Sequence, residues 1–217
     1  KCESMDFYGY GLIIHNGKTY QISNFLPGEI AKIEVPENGK GKVVKFYETS
    51  KDRVKAPCPI YSECGGCHLQ HINYQTQLEI KTNYVKNCFE KEQLSSQSLL
   101  PCIGMKDPFH YRNKIQMVFS EKGKKIMAGF YEENTHRVIN IDNCFIQDDV
   151  ANSIIKTCKE LCSKHNIKPY LEDQGTGLIR HILVKHSQST EEVMVVIVTA
   201  SEIFPGRKNF VTDLKLI

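Results

Sequence analysis

Residues 58–67 read CPIYSECGGC, which places three cysteines, Cys58, Cys64 and Cys67, within ten residues of one another. The adjacent Gly65 and Gly66 allow the backbone to fold tightly around an inorganic core. Sulfur ligands held this close together are typical of sites for soft metal ions and of iron–sulfur centres. This stretch limits the range of possible functions more than any other part of the sequence does.

The composition is that of an ordinary soluble globular protein. The chain has 217 residues, of which 41% are hydrophobic and 24% charged, enough for one large or two small domains. The longest apolar run, residues 193–198, is far shorter than the roughly 20 residues that span a bilayer. The nine cysteines are an odd number and fit no disulfide framework, and no signal-peptide pattern occurs. We therefore expect a reducing cytoplasm and no membrane partner.

Two basic stretches flank the cysteines, although the formal net charge is only +3. Residues 40–55 contain six Lys or Arg against two acids, and residues 106–125 contain the same numbers. Such runs are typical of solvated strand faces and also of surfaces that bind nucleic acid. Both interpretations stay open at this point.

Short strands separated by turn residues predict a small antiparallel barrel in the first fifty residues. The dipeptide Asn16-Gly17 is the strongest short hairpin signal, and it separates strand-like residues 11–15 and 18–24. Two more strand patterns follow a Pro-Gly break at residues 27–28. This number of short strands predicts an OB-like barrel.

The remaining residues predict two helices and a second antiparallel sheet. Apolar residues at helical spacing predict a helix over residues 73–93 with Asn73 as its N-cap, and Asp148 or Asp149 caps a second helix. Strand patterns occur at residues 112–120, 125–131, 136–141, 178–186 and 192–199. The fold class is therefore α+β: a small antiparallel β-barrel followed by an α+β domain with an antiparallel sheet and the cysteine loop.

Three thiolates need a fourth ligand, both for tetrahedral zinc and for a four-iron cluster. His71 would complete a zinc knuckle, whereas the uneven spacing favours a cluster that takes its fourth thiolate from a distant loop. Cys144 suits that role because it lies in a turn between a strand and a helix. The other cysteines are interpreted as unligated thiols: Cys2, Cys88, Cys102, Cys158 and Cys162.

Several motifs follow one another in a specific order: Gly9-Tyr10-Gly11, Leu26-Pro27-Gly28-Glu29, Cys58-Pro59, Cys64-Gly65-Gly66-Cys67-His68-Leu69-Gln70-His71, Tyr111-Arg112-Asn113-Lys114 and Gly177-Leu178-Ile179-Arg180-His181. Together they resemble the SAM-dependent RNA (uracil-5-)-methyltransferases that carry an iron–sulfur cluster, the 23S rRNA group. The resemblance covers the whole chain. The first two motifs look like those of a TRAM domain.

The resemblance implies a 4Fe-4S cluster on Cys58, Cys64, Cys67 and Cys144. It also implies a TRAM-like RNA-binding barrel over residues 1–52 and a central domain with the cluster over residues 53–207. Residues 208–217 would begin a linker to a catalytic domain that binds SAM, because no glycine-rich SAM loop occurs in this chain. No catalytic residue is therefore assigned here.

The expected function is that of the RNA-binding and iron–sulfur portion of an RNA (uracil-5-)-methyltransferase, inactive alone, with 23S rRNA as the expected substrate. We expect a monomer. The alternative is a stand-alone RNA-binding adaptor with a zinc or iron–sulfur structural site and no catalysis. The cluster is interpreted as a structural clamp, since four thiolates leave no iron open for chemistry.

The candidate RNA contacts are basic residues, because phosphate contacts determine affinity and register. They are Lys40, Lys42, Lys45, Arg53, Arg112, Lys114 and Arg180. Three aromatic residues are candidate surfaces for stacking unpaired bases: Tyr20, Phe46 and Tyr47. We expect at most one of them to stack on a base.

Overall fold

The computed structural model describes residues 1–36, 40–132 and 135–216. Contacts divide the chain into two units. The first comprises Lys1–Pro57 and Cys67–Gly104, and the second comprises Cys58–Gly66 and Met105–Ile217. The predicted α+β class is confirmed, since the described residues form two five-stranded sheets and three helices. The predicted domain division at residues 52/53 and 207/208 stays a prediction.

Five short strands form the sheet of the first unit: β1 (Ser4–Met5), β2 (Gly11–His15), β3 (Lys18–Ser23), β4 (Ile30–Glu34) and β5 (Gly41–Glu48). Their order is β1-β2-β3-β5-β4, and the described ladders are antiparallel except between β3 and β5. The predicted hairpin is confirmed. Asn16 and Gly17 have φ angles of 50° and 73°, the left-handed conformation that a type I′ turn requires at both central positions.

The described ladders leave this sheet open between β1 and β4, where the predicted barrel would close. Two backbone hydrogen bonds join the segments that precede these edge strands. The N–H of Cys2 donates to the carbonyl of Glu29 (2.9 Å), and the N–H of Gly28 donates to the carbonyl of Cys2 (3.0 Å). No ladder between β1 and β4 occurs among the described residues. The structure therefore shows an open sheet rather than a closed barrel, with two hydrogen bonds between the segments that precede its edge strands.

Helix α1 (Tyr74–Lys91) belongs to the first unit. It begins as predicted at Asn73, whose side-chain oxygen accepts from the N–H of Thr76 at 2.9 Å. None of its residues is buried. Two residues of the predicted apolar stripe, Val85 and Phe89, are therefore exposed, at 39% and 37%.

The sheet of the second unit contains β6 (Lys114–Lys122), β7 (Lys125–Tyr131), β8 (Val138–Asn140), β9 (Ile179–His186) and β10 (Val193–Thr199). The order is β10-β9-β6-β7-β8, and each described ladder is antiparallel. The predicted second antiparallel sheet is confirmed, and its consecutive strands β6, β7 and β8 are neighbours.

Helix α2 (Asp149–Lys164) packs an apolar stripe on the second sheet. It begins after Asp148, whose carboxylate accepts from the N–H of Val150 at 2.9 Å, so Asp148 is the predicted N-cap. Cys158 and Cys162 lie on the buried stripe. Burial raises the pKa of each thiol to about 12, so both are protonated core residues, as the sequence predicts.

Helix α3 (Arg207–Leu214) completes the second unit. Phe210 is fully buried in the same core as α2. The carboxylate of Asp213 accepts from Lys164 Nζ at 2.7 Å and lies 2.8 Å from His165 Nε2. The stretch expected to begin a linker is thus largely helical. In the part of the chain that the structure describes, we find no helix with the length and apolarity needed to cross a bilayer.

Candidate metal centre

The cysteine loop, residues 58–67, is built from overlapping turns. The N–H of Tyr61 donates to the carbonyl of Cys58 at 3.2 Å, and the N–H of Cys64 donates to the carbonyl of Ile60 at 2.9 Å. The side chains of Ile60 and Cys64 pack against the core of the second unit. The core therefore anchors the part of the loop that carries Cys64.

Cys144 lies in the loop between β8 and α2, where Asn152 fixes its backbone. Asn152 Oδ1 accepts from the N–H of Cys144 and Asn152 Nδ2 donates to its carbonyl, both at 3.1 Å. One side chain thus satisfies both polar backbone groups of a predicted ligand. Sequence reasoning missed Asn152. Its position four residues after the N-cap Asp148 was the available signal, because a polar side chain in a first helical turn can reach back to the preceding loop.

Cys58, Cys64 and Cys144 belong to the second unit, and their thiols interact electrostatically. Burial raises the pKa of Cys64, and the neighbouring Cys144 and Cys58 raise it further. A hydrogen bond from the backbone of Gly66 and the charge of Arg112 lower it. Because these interactions weaken with distance, Cys58 and Cys144, from two separate parts of the sequence, both lie in the vicinity of Cys64.

The side chains of Cys58, Cys64 and Cys144 do not form a ligand cage in this structure. Among the residues that the structure describes, no group of three or more His, Cys, Asp or Glu side chains is close enough to hold a metal ion. The donor set nevertheless fits a thiolate-bound zinc or iron–sulfur centre, because three soft sulfur donors lie in half-exposed loops and one accepts a backbone hydrogen bond. Cys67 belongs to the first unit, and its role as a ligand stays a prediction.

His71, the alternative fourth ligand, has the surroundings of a core histidine. It belongs to the first unit and is only 3% exposed. Burial lowers its pKa, the charge of Arg53 lowers it further, and Glu29 opposes both effects, with a resulting pKa of about 4. The ring is therefore neutral at neutral pH.

Three of the predicted RNA-binding cations are paired with glutamates within their own units. Arg53 contacts Glu29 at 2.5 Å, and Lys42 contacts Glu34 at 3.1 Å. Arg180 donates to Glu172 at 2.9 Å, and its guanidinium carbon lies 4.1 Å from the centre of the Tyr170 ring. Arg53 is the least accessible of these cations, since only 19% of its side chain is exposed.

The predicted cations Lys45 and Lys114 are exposed. Within the described ranges, neither ammonium has a carboxylate within 4.0 Å. Lys40 donates to the hydroxyl of Tyr10 at 2.7 Å. Lys45 and Lys114 are therefore the predicted contacts whose charge is most available to a phosphate.

The aromatic candidates separate clearly by burial. Phe46 and Tyr20 pack against the core of the first unit, and the guanidinium of Arg53 covers the Phe46 ring at 4.5 Å. Tyr47, in contrast, is 62% exposed, and the ammonium of Lys45 lies 5.7 Å from its ring centre. Of the three rings, Tyr47 alone presents a large accessible surface.

No family model matches this sequence. The chain is 36% identical, over 96% of its length, to an uncharacterised RNA methyltransferase of Halalkalibacterium halodurans. It is 39% identical, over 89% of its length, to an uncharacterised RNA methyltransferase of Clostridium acetobutylicum. These alignments cover 47% and 44% of the relatives, so the chain spans about half the length of the curated relatives it matches. It is thus homologous to part of these RNA methyltransferases.

A solved structure has the same fold. It is the tRNA (uracil-54, C5)-methyltransferase of Pyrococcus abyssi in complex with S-adenosyl-L-homocysteine, which superposes with a TM-score of 0.69. The match covers 96% of this chain and 48% of that protein, at 24% sequence identity. At this identity the similarity establishes the fold of the chain.

Proposed function

We propose that this chain is the RNA-holding and iron–sulfur portion of a SAM-dependent RNA (uracil-5-)-methyltransferase whose substrate is 23S rRNA. The observation that carries the proposal is the proximity of Cys58, Cys64 and Cys144 in a chain homologous to RNA methyltransferases. SAM binding and methyl transfer would belong to the part of the relatives that this chain does not cover.

A 4Fe-4S cluster on Cys58, Cys64, Cys67 and Cys144 would have a structural role. When bound, it supplies four metal–sulfur bonds that tie the cysteine loop to the loop before α2, and full thiolate ligation leaves no iron open to substrate. The chain's own residues orient these ligands. The backbone of Gly66 donates a hydrogen bond to the sulfur of Cys64, and the side chain of Asn152 forms two hydrogen bonds with the backbone of Cys144. A zinc adaptor would use the same thiols, and iron and sulfide analysis distinguishes the two.

RNA would bind to the exposed face of β5 and to exposed basic residues of the second unit. On β5, Lys45 and Tyr47 combine an available charge with an accessible ring, the pair of features that single-stranded RNA recognition uses. In the second unit, Lys114 supplies a further available cation. The paired cations Lys42 and Arg180 would contribute less, since an RNA phosphate must compete with their glutamates.

The Tyr47→Ala substitution is expected to weaken the binding of single-stranded RNA by about 5- to 150-fold, because loss of one base–ring stack costs roughly 1–3 kcal/mol. Fluorescence anisotropy with a uridine-rich oligonucleotide at fixed salt measures the change. Tyr47→Phe keeps the ring and is the matched control, expected to bind as the wild type does. Equal weakening by Tyr47→Phe would contradict a stacking role.

Deletion of the gene that encodes the chain tests the proposed activity. We expect 5-methyluridine to disappear from at least one site in 23S rRNA, as mapped by mass spectrometry of rRNA fragments, and to return with the wild-type gene. Loss confined to tRNA would overturn the rRNA assignment. Unchanged 5-methyluridine in both RNAs would overturn the methyltransferase proposal and support the adaptor.

A further inference from the structure

The loop between β1 and β2 presents two aromatic side chains to solvent. Phe7 and Tyr8 occupy the middle of a turn that is closed by a hydrogen bond from the N–H of Gly9 to the carbonyl of Asp6 at 3.1 Å. Phe7 is 61% exposed and Tyr8 is 60% exposed. Turns usually carry small or polar residues, so this exposure of two large rings requires an explanation.

Hydrogen bonds fix the backbone of this turn. Asp6 Oδ1 accepts from the N–H groups of Tyr8 and Tyr10, both at 2.9 Å. Asp6 Oδ2 accepts from Gln21 Nε2, on β3, at 2.6 Å. The N–H of Asp6 donates to the carbonyl of Tyr10 at 2.9 Å, so the two ends of the loop are also paired. The exposed rings therefore project from a well-ordered backbone.

Helix α1 adds a third ring to the same surface. The rings of Phe7 and Tyr84 are stacked, with their centres 4.2 Å apart and an angle of 30° between their planes. The rings of Phe7 and Tyr8 meet edge to face at 5.4 Å. Tyr84 is 40% exposed, and all three residues belong to the first unit. Phe7, Tyr8 and Tyr84, here called the aromatic cluster, thus form a contiguous exposed apolar patch, a feature that marks interaction sites.

The face of α1 that carries Tyr84 is basic. Residues three, four or seven positions from Tyr84 share its face of the helix. Within α1 they include Lys81 and Lys91 and no acid, whereas Glu79 and Glu90 lie away from this face. Among the residues that the structure describes, no carboxylate lies within 4.0 Å of the ammonium of Lys81 or Lys91. The charge beside the aromatic cluster is therefore complementary to phosphate.

This combination of rings and lysines favours unpaired RNA over a protein as the partner. The cores of protein interfaces are enriched in aromatic residues but depleted of lysine. Sites for single-stranded nucleic acid combine aromatic rings, on which bases stack, with positive charge along the backbone. The homology of the chain to RNA methyltransferases agrees with this choice.

We propose that the aromatic cluster is a second RNA-binding surface of the first unit, additional to Lys45 and Tyr47 on β5. An unpaired base stacks on Phe7, whose ring is held in place by its contact with Tyr84, and Lys81 binds a neighbouring phosphate. The inference rests on the proposed RNA-holding function and deepens it by naming a further surface and the single-stranded form of RNA that this surface binds.

The test measures the binding of a uridine-rich single-stranded RNA to purified variants of the whole chain by fluorescence anisotropy. Phe7→Ala is expected to weaken binding about 5- to 150-fold, the range that corresponds to the loss of one base–ring stack. Phe7→Tyr keeps a ring and should bind as the wild type does. Phe7→Leu keeps an apolar side chain without a ring and should weaken binding as Phe7→Ala does.

Salt dependence separates the stacking contact from the charge contact. Lys81→Ala should reduce the slope of log affinity against log salt by about 0.7, the contribution of one phosphate contact on a single strand. Phe7→Ala should leave this slope unchanged. Phe89→Ala removes an exposed ring from another face of α1 and is the matched control, expected to bind as the wild type does.

Melting temperatures show whether each variant is folded. If Phe7→Ala does not fold, Tyr84→Ala takes its place, because alanine is favourable in a helix and the substitution removes the ring that supports Phe7. Its binding of single-stranded RNA should likewise be weakened.

The outcomes separate this inference from the function on which it rests. Wild-type affinity in a folded Phe7→Ala chain, or equal weakening in Phe89→Ala, overturns the aromatic cluster as an RNA site and leaves the RNA-holding function standing. Full affinity in Phe7→Leu shows that no base stacks on Phe7, and it also overturns the inference. A wild-type chain that binds neither single-stranded nor structured RNA at low salt defeats the RNA-holding function itself.

Discussion

Replacement of Cys144 by alanine is expected to abolish the iron–sulfur centre, with iron, sulfide and visible absorption all falling to the level of the metal-free chain. Cys144 is the predicted ligand that comes from outside the cysteine loop, so no neighbouring thiol of that loop substitutes for it. Because the free energy of metal binding also stabilises the fold, the melting temperature of the anaerobically prepared chain should fall with the metal content.

Two further variants test whether the loss of metal is specific to Cys144 and its surroundings. Cys88 is exposed on α1 and is not assigned as a ligand, so Cys88→Ala should keep the full iron and sulfide content. Asn152→Ala keeps the Cys144 thiol but removes two hydrogen bonds to its backbone, so metal should be bound and then lost faster. A Cys144→Ala chain with wild-type iron content and melting temperature would exclude the structural clamp.

The elements that follow from local rules were predictable. The left-handed turn at Asn16 and Gly17 depends only on those two residues, and the Asp148 cap depends on the first turn of α2. The position of Cys144 in a loop was predictable because its turn lies between a recognisable strand and a recognisable helix. Each of these predictions depends on contacts within a few residues of sequence.

Features that depend on long-range packing could not be predicted in this way. Closure of the first sheet into a barrel depends on whether β1 pairs with β4, which is distant in sequence. The burial of the apolar stripe of α1 depends on the surface against which the helix packs. The sequence of a basic stretch does not show whether a cation can bind phosphate. Lys45 is exposed, whereas Arg53 is paired with a buried acid. Only the tertiary structure distinguishes these two cases.

In the Arg53–Glu29 pair, the guanidinium of Arg53 is engaged by groups of its own unit. The Glu29 side chain is fully buried, and both carboxylate oxygens accept from Arg53, at 2.5 and 2.7 Å. The backbone N–H groups of Leu26 and Ser50 donate to the same carboxylate, and Arg53 also donates to the carbonyl of Asn24. Every one of these contacts lies within the first unit.

The pair also predicts how stability depends on pH. Burial raises the pKa of Glu29, but the hydrogen bonds from Arg53, Leu26 and Ser50 outweigh burial, and the net pKa is lowered below 4.5. A carboxyl whose pKa is depressed by folding contributes stability that is complete above its unfolded pKa and is lost as the pH falls through its folded pKa. The contribution of the pair should therefore be constant near neutral pH and disappear in acid below about pH 4.5.

Arg53→Ala is accordingly expected to lower the free energy of unfolding by about 3–5 kcal/mol at pH 7, because it leaves a buried carboxylate without its counter-ion. Urea denaturation measures the loss, which should shrink between pH 7 and pH 4 as Glu29 of the variant becomes protonated. The matched control is Lys42→Ala, whose pair with Glu34 is 71% and 63% exposed and contributes about 0–1 kcal/mol. If Arg53→Ala costs no more than Lys42→Ala and RNA affinity falls instead, Arg53 is a phosphate contact and the structural role is wrong.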